Sequence, residues 1–423
     1  LSSEREIGLA LSGGGYRASL FHLGALRRLN ELGLLEMVGR ISSVSGGSIL
    51  SGFIADRMLQ EGKTTPQFSD WEAAIARDFR HFVSKDIRTY LVARYFVWNA
   101  FVPKDRATAL ANAFWHRLTK RYLTELPSAE LGTEFMFLAT DFERNVAWEF
   151  ERHRVGNYLM SNKARLPSKG ISIARAVAAS ASFPPVFGPV RFPIQKKGSE
   201  DEYVAWLSDG GVYDNLGMEP VWKGTRFSRV LISDGGAILD EVVPKKYGGR
   251  LLRYSSIAMD QVRSQRQQRF IAKIKRDQKA GKDYNGALWR NASKRKSYRQ
   301  NADADGKKRI DAMIEKENWY GYDDSENGTI DKYIATIRTD LNSFTKAEAK
   351  ILENHGYFCA DIGIRGFLPE YLPIVDNFQP PHGDELFLSD AEVRGHLRFS
   401  SSRFKNLARV KAFFFGKAND SAD

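Results

Sequence analysis

The chain has 423 residues, 43% hydrophobic and 27% charged, which is room for one large α/β domain or two ordinary ones. No stretch reaches the roughly 18 uninterrupted apolar residues of a membrane span, and Leu1-Ser2-Ser3-Glu4-Arg5 does not read as a signal peptide, so any membrane contact is expected to be peripheral. The net charge of +12, one cysteine and seven scattered histidines exclude a disulfide framework and offer no metal-ligand spacing, so no metal or cofactor is expected.

In chain order, Ile7–Leu11 predicts a short strand. Tyr16–Leu32 predicts a helix closed by Gly33 in the left-handed position beyond its end. Ile41–Val44 is a second, fully buried strand. The helix after it, Gly46–Gln60, has Ile49, Leu50, Phe53, Ile54 and Leu59 on its apolar side and stops at Gly62. Strand–helix–strand–helix order implies an α/β fold with a mostly parallel central sheet flanked by helices. Residues 66–125 interrupt that rhythm with aromatics from Trp71 through Tyr90, Trp98 and Phe101 to Tyr122. They predict a helical insertion, either a side layer of the core or a cap over an apolar channel.

Further strands are predicted at Glu134–Thr140, Tyr203–Leu207 and Arg229–Ser233. A helix over Ser172–Ala181 is halted by Phe183-Pro184-Pro185, because a residue before proline is pushed out of the α region. Between Arg263 and Arg309 stand 16 basic and four acidic residues, leaving the rest of the chain near neutral. Residues 263–330 read as a basic, polar insertion that is helical early. Thr345-Lys346-Ala347-Glu348 is a capping box opening a helix expected to end at Gly356. Cys359, in an apolar setting, reads as a buried structural thiol and suggests a reducing, cytoplasmic environment.

Two strand-to-helix turns carry the chemistry. In Ser43-Val44-Ser45-Gly46-Gly47 a strand ends in a serine and reopens as a helix, close to the G-x-S-x-G nucleophile elbow with serine in place of the first glycine. Small neighbours, Gly46 and Gly47, are needed because the backbone folds back on itself there. Upstream, Ser12-Gly13-Gly14-Gly15-Tyr16-Arg17 can aim the free N–H groups of Gly13, Gly14 and Gly15 at an anion; in acyl transfer that anion is the tetrahedral oxyanion, and one such donor is worth about 10²–10³ in rate. Gly13–Ala18 also satisfies a dinucleotide fingerprint, but that fold wants an acidic residue closing the second strand, and this one ends in Ser45. The serine needs a base. Ser208-Asp209-Gly210-Gly211 and Ser233-Asp234-Gly235-Gly236 each deliver an aspartate onto a Gly-Gly turn, and residue physics does not choose between them. A histidine triad would need His382 or His396, neither of which sits at a strand end.

Taken together and in this order, Gly13-Gly14-Gly15-Tyr16-Arg17, Ser43-Val44-Ser45-Gly46-Gly47, Ala179-Ser180-Ala181-Ser182-Phe183-Pro184-Pro185-Val186-Phe187 and Ser208-Asp209-Gly210-Gly211 resemble the motifs of the patatin-like phospholipases. The resemblance covers residues 7–236 and implies a three-layer patatin-like fold spanning 1–423 as one catalytic domain, with insertions at about 66–125 and 263–330. It implies a Ser45–Asp209 dyad without histidine, an oxyanion hole of Gly13, Gly14 and Gly15, and supporting roles for Arg17, Gly46, Gly47, Gly210 and Gly211. Arg17 is expected to brace the glycine loop. Ser43 and Ala18 depart from the family pattern without removing a reacting group.

The activity so implied is a lipid acyl hydrolase of phospholipase A type, cytoplasmic and membrane-associated when active. The alternative is a catalytically silent lipid- or nucleotide-sensing module. Arg263, Arg266, Arg269, Lys273 and Arg276, spaced by three or four, are expected to present one basic helix face, either to an anionic membrane or to solvent. Aromatic and basic residues also interleave around Trp289, Lys294-Arg295-Lys296 and Tyr298, but no nucleic-acid-binding motif accompanies them, and that partner is set aside.

Overall fold

Ile7–Leu11 is buried along its whole length, the pattern of a strand covered on both faces. In the computed structural model this strand, β1, lies between β2 (Val38–Val44) and β9 (Arg229–Asp234) and runs parallel to both. β3 (Glu134–Asp141) and β10 (Asn285–Arg290) extend the parallel set to the order β10-β9-β1-β2-β3. The structure describes residues 5–87, 106–160, 166–184, 187–195, 202–223, 226–236, 247–317, 323, 325–339, 341–374, 378–384 and 389–401.

Past β3 the sheet turns antiparallel. β4 (Val146–Phe150) and β5 (Arg154–Asn157) follow through connections too short for a crossover, so they can only meander. β6 (Leu166–Pro167) closes that edge, and β7 (Val190–Gln195) pairs with β8 (Glu202–Asp209), which returns to β3. The parallel order expected from the sequence therefore belongs to the half of the sheet that carries the glycine turns.

Side-chain alternation on the central strands separates two cores. Ile7, Leu9 and Leu11 join the cluster formed with α1 (Gly15–Glu31) and α2 (Gly46–Gln60), whereas Ala10, Val230 and Ile232 pack with Phe270 on the opposite face. Three layers result. In the 66–125 stretch the described helices are α3 (Arg77–Val83) and α4 (Arg106–Arg117), preceded by a π-helical turn at Glu72–Ala76. Trp71, Phe79, Phe82 and Phe114 are buried in the main core, as a side layer would be. Tyr90, Tyr95, Phe96, Trp98 and Phe101 lie outside the described residues.

Helix α5 (Ile173–Ser180) is capped by Ser172, whose side chain accepts from the Arg175 amide. α6 (Tyr247–Lys279) lies on the second face and leads into β10. Part of the segment expected to be an insertion is thus an edge strand of the central sheet, with Trp289 fully buried. The basic face of α6 also turns inward. Arg263 meets Asp260 at 2.6 Å and Asp234 at 3.8 Å, and Arg266 meets Asp214 and Glu219 at 3.2 Å each. Lys273 and Arg276 pair with Asp277 at 2.7 and 3.3 Å, and Arg269 and Arg276 are the exposed members of the five. Part of this basic face is therefore engaged by carboxylates of the protein itself.

α7 (Lys346–Phe367) opens on the expected capping box: the Glu348 amide donates to Thr345 Oγ1 at 3.2 Å, and the Thr345 amide to Glu348 Oε2 at 2.8 Å. It does not stop at Gly356. A Cβ there would stand 1.8 Å from the Phe21 carbonyl oxygen, and one at Gly24 would stand 1.7 Å from that of Glu353. The two glycines let α1 and α7 touch backbone to backbone, so Gly356 is a crossing point and not a terminus. Among the described residues no helix is long and apolar enough to cross a membrane.

Candidate active site

The site forms where two strands meet end to end. β2 runs parallel to β3 and its last residue, Val44, pairs with Leu138. β8 runs antiparallel to β3, and its last residue, Asp209, pairs with Ala139, the very next position. β4 occupies the other edge of β3 over the same residues, so β2 and β8 share one edge and arrive from opposite directions. Ser45 and Asp209, far apart in sequence, face one another across the break.

Ser45 leaves β2 with φ 48° and ψ −112°, a positive φ that a side chain seldom adopts. Its neighbours must be glycine. A Cβ on Gly46 would lie 2.2 Å from the Gly15 carbonyl oxygen, and one on Gly47 would lie 2.4 Å from that of Leu11. Ser43, standing where the elbow usually has glycine, is tolerated because its hydroxyl has a place: Ser43 Oγ and Ser48 Oγ are 3.2 Å apart. Ser48 in turn is 2.9 Å from Ser180 Oγ, which accepts the Ser45 amide at 3.0 Å.

Asp209 is buried, and Oδ1 accepts the Gly211 amide at 2.7 Å. Oδ2 has no hydrogen-bond partner among the described residues. Burial pushes its pKa up to about 7, with the Gly211 amide and the Ser45 hydroxyl pulling the other way. Ser45 thus lies close enough to favour the carboxylate, short of a hydrogen bond of ordinary length and angle. Gly210 fits only as glycine, since a Cβ would lie 2.3 Å from the Leu138 carbonyl oxygen, and a Cβ on Gly211 would crowd Asn215 Oδ1 at 2.6 Å.

The other aspartate is fully engaged. Asp234 Oδ1 accepts the Gly236 amide at 2.9 Å, and Oδ2 accepts Gln267 Nε2 at 2.8 Å, with Arg263 nearby. It ties α6 to the end of β9, with both oxygens engaged there.

In the glycine turn, Gly14 and Gly15 take φ values of 140° and 59°. Neither amide has a hydrogen-bond partner among the described residues. Gly13 differs from the expectation: its N–H donates to the Asn215 carbonyl at 2.9 Å, which fixes the loop and removes that donor. Arg17, expected to brace the loop, makes its hydrogen bonds elsewhere. Nε donates to the Gly235 carbonyl at 3.0 Å and Nη1 to that of Ile337 at 2.8 Å. The brace on the loop itself comes from groups the sequence reading missed. Trp289 Nε1 donates to Ser233 Oγ at 2.9 Å, Ser233 bonds His22 Nδ1 at 2.7 Å, and His22 Nε2 reaches the Ser12 carbonyl at 3.0 Å. Burial drives the His22 pKa down to about 4, so it is a neutral strut at ordinary pH. A histidine within the otherwise apolar run Leu20–Leu26 is its one visible signal.

A family model for patatin-like phospholipases matches residues 9–222. The putative meiotic phospholipase SPO1 of Saccharomyces cerevisiae is 33% identical over 72 residues, which are 17% of this chain and 11% of that protein. Human GIVD cytosolic phospholipase A2 aligns at 13% identity with a TM-score of 0.38, over 55% of this chain and 46% of its own. VipD from Legionella pneumophila aligns at 15% identity with a TM-score of 0.35, over 86% of this chain and 67% of its own. The aligned part of the chain is less than half the length of the first two.

Proposed function

Since the chain belongs to the patatin-like phospholipase family, we propose that it is a lipid acyl hydrolase of phospholipase A type, working through Ser45 and Asp209. The observation that carries the reading is the Asp209 carboxyl: buried, with one oxygen unengaged and the Ser45 hydroxyl close enough to favour its anion. A carboxyl with a pKa near 7 is charged often enough to accept a proton and basic enough to hold it through the transition state.

Ser45 Oγ attacks the ester carbonyl as its proton passes to Asp209. The oxyanion is received by the Gly14 and Gly15 amides at the start of α1, where the helix dipole also favours negative charge. Collapse of the tetrahedral intermediate expels the glycerol oxygen, which takes the proton from Asp209 and leaves an acyl-Ser45. Water then gives a proton to Asp209 and attacks the acyl carbon, and Ser45 recovers its proton as the fatty acid departs. His22 is already committed to Ser233 and Ser12, so the scheme asks nothing of it.

Ser45→Ala tests this. The variant is expected to fold, to hydrolyse phospholipid vesicles at the background rate, and to lose labelling by a fluorophosphonate. Undiminished hydrolysis by the variant would reject the proposal.

A further inference from the structure

Ser180, the last residue of α5, and Ser182 just beyond it touch both sides of the strand break. Ser180 Oγ accepts the Ser45 amide at 3.0 Å and donates to the Leu138 carbonyl at 2.6 Å. The Ser180 carbonyl accepts the Gly210 amide at 3.2 Å, and the Ser182 carbonyl accepts the Asp209 amide at 3.1 Å. Ser180 itself is wholly buried. Its one proton goes to Leu138 and one lone pair to the Ser45 amide, with Ser48 Oγ 2.9 Å away.

We propose that Ser180 is a positioning residue that fixes the separation of nucleophile and base, its side chain holding Ser45 and its backbone holding the strand end that carries Asp209. This rests on the dyad reading given above. The physical argument is strain: the Ser45 backbone sits at a positive φ and has to be held there. Without the Ser180 hydroxyl the Ser45 amide is a buried donor with no acceptor. The peptide plane between Val44 and Ser45 then turns, and Cβ and Oγ swing with it. Misplacement of a reacting group by about 1 Å can cost about 10²-fold in rate.

The consequence separates positioning from packing. The groups bearing on Asp209 are burial, the Gly211 amide and the Ser45 hydroxyl, with no charged side chain among them. If Ser45 Oγ moves away, the carboxyl loses one of its two stabilising contacts, and the pH at which activity appears rises.

The experiment uses the full chain with Ser180→Ala, and with Ser180→Cys as a variant of similar size should alanine not fold. Ser51→Ala serves as the buried-serine control; among the described residues the Ser51 hydroxyl bonds within its own helix, to the Gly47 carbonyl at 2.9 Å. Readouts are the rate of fluorophosphonate labelling at Ser45, kcat and KM on a soluble p-nitrophenyl ester, and the pH dependence of kcat/KM. The expected result is a fall of about 10- to 100-fold in labelling rate and kcat, KM held within about twofold, and an acid limb displaced upward from about pH 7. The control is expected to stay within about twofold of the unmodified chain. Normal labelling of the unmodified chain, with the folded Ser180 variant within about twofold of it and the limb unmoved, would overturn the positioning role alone. An unmodified chain that hydrolyses no ester and is not labelled at Ser45 would overturn the dyad reading, and the inference with it.

Discussion

Asp209 is the residue at which stability and catalysis pull in opposite directions. Its carboxyl is disfavoured as an anion by burial, with a pKa near 7 against an ordinary value of 3.8. The folded state therefore gains from the protonated form: the contribution is complete below about pH 4 and is lost as the pH rises through 7. Catalysis needs the anion, so kcat/KM is expected to climb tenfold per pH unit up to about 7 and then level. Asp209→Asn should show both effects at once. Activity falls by about 10²–10⁴ through loss of the base, while the melting temperature rises above that of the unmodified chain at pH 8 and matches it at pH 4. A variant that melts lower at pH 8 would contradict the assignment of burial as the dominant cause.

At this scale the sequence was most legible where chemistry demands a particular atom. Ser45 and the glycines stood out because each sits at a turn that tolerates almost nothing else, whereas Asp209 shared its Asp-Gly-Gly context with Asp234 and was singled out only by the family resemblance. Ser180 was visible only as part of a motif, since a buried hydroxyl accepting one amide leaves no pattern of spacing. Gly13 was misread as a donor for a related reason: a glycine turn signals free amides in general, but which of them a distant carbonyl will claim depends on Asn215, some 200 residues on.

The elements followed hydrophobic pattern where a strand or helix faced the core, and departed from it at contacts between elements. The boundaries of α2 came out as expected because Ser45 and Gly62 bracket it. α7 did not end at Gly356, since a mid-helix glycine can mark a stop or a close crossing, and only the partner helix decides which. That crossing supplies a test. Gly356→Ala places a methyl 1.8 Å from the Phe21 carbonyl oxygen, so α1 and α7 must separate. A loss of about 3 kcal/mol is expected from overpacking, measured as a lower urea midpoint with unchanged slope. The specific activity of the folded fraction should be kept. β10 was hidden for a different reason: Gly286-Ala287-Leu288-Trp289 is a four-residue apolar signal inside the most charged part of the chain.

For the whole molecule, the excess of positive charge is less available than the composition suggests. Arg263, Arg266 and Lys273 pair with carboxylates of the protein itself, whereas Lys275 and Lys279, four residues apart on α6, are exposed and available to an anionic surface. Replacing both with glutamine is expected to weaken binding to phosphatidylserine vesicles by about 1 kcal/mol per residue at low salt. Hydrolysis of a soluble ester should be unaffected. Equal binding by the variant would place the lipid contact elsewhere on the surface.

The break on β3 also ties chemistry to the completion of folding. β8 is fastened to β3 by only three residue pairs, and sliding it by one position would send every one of its side chains to the reverse side of the sheet. A nascent chain with that ladder unzipped or misaligned holds a serine without a base. Under the proposed mechanism it is harmless to the bilayers around it until β8 has seated in register.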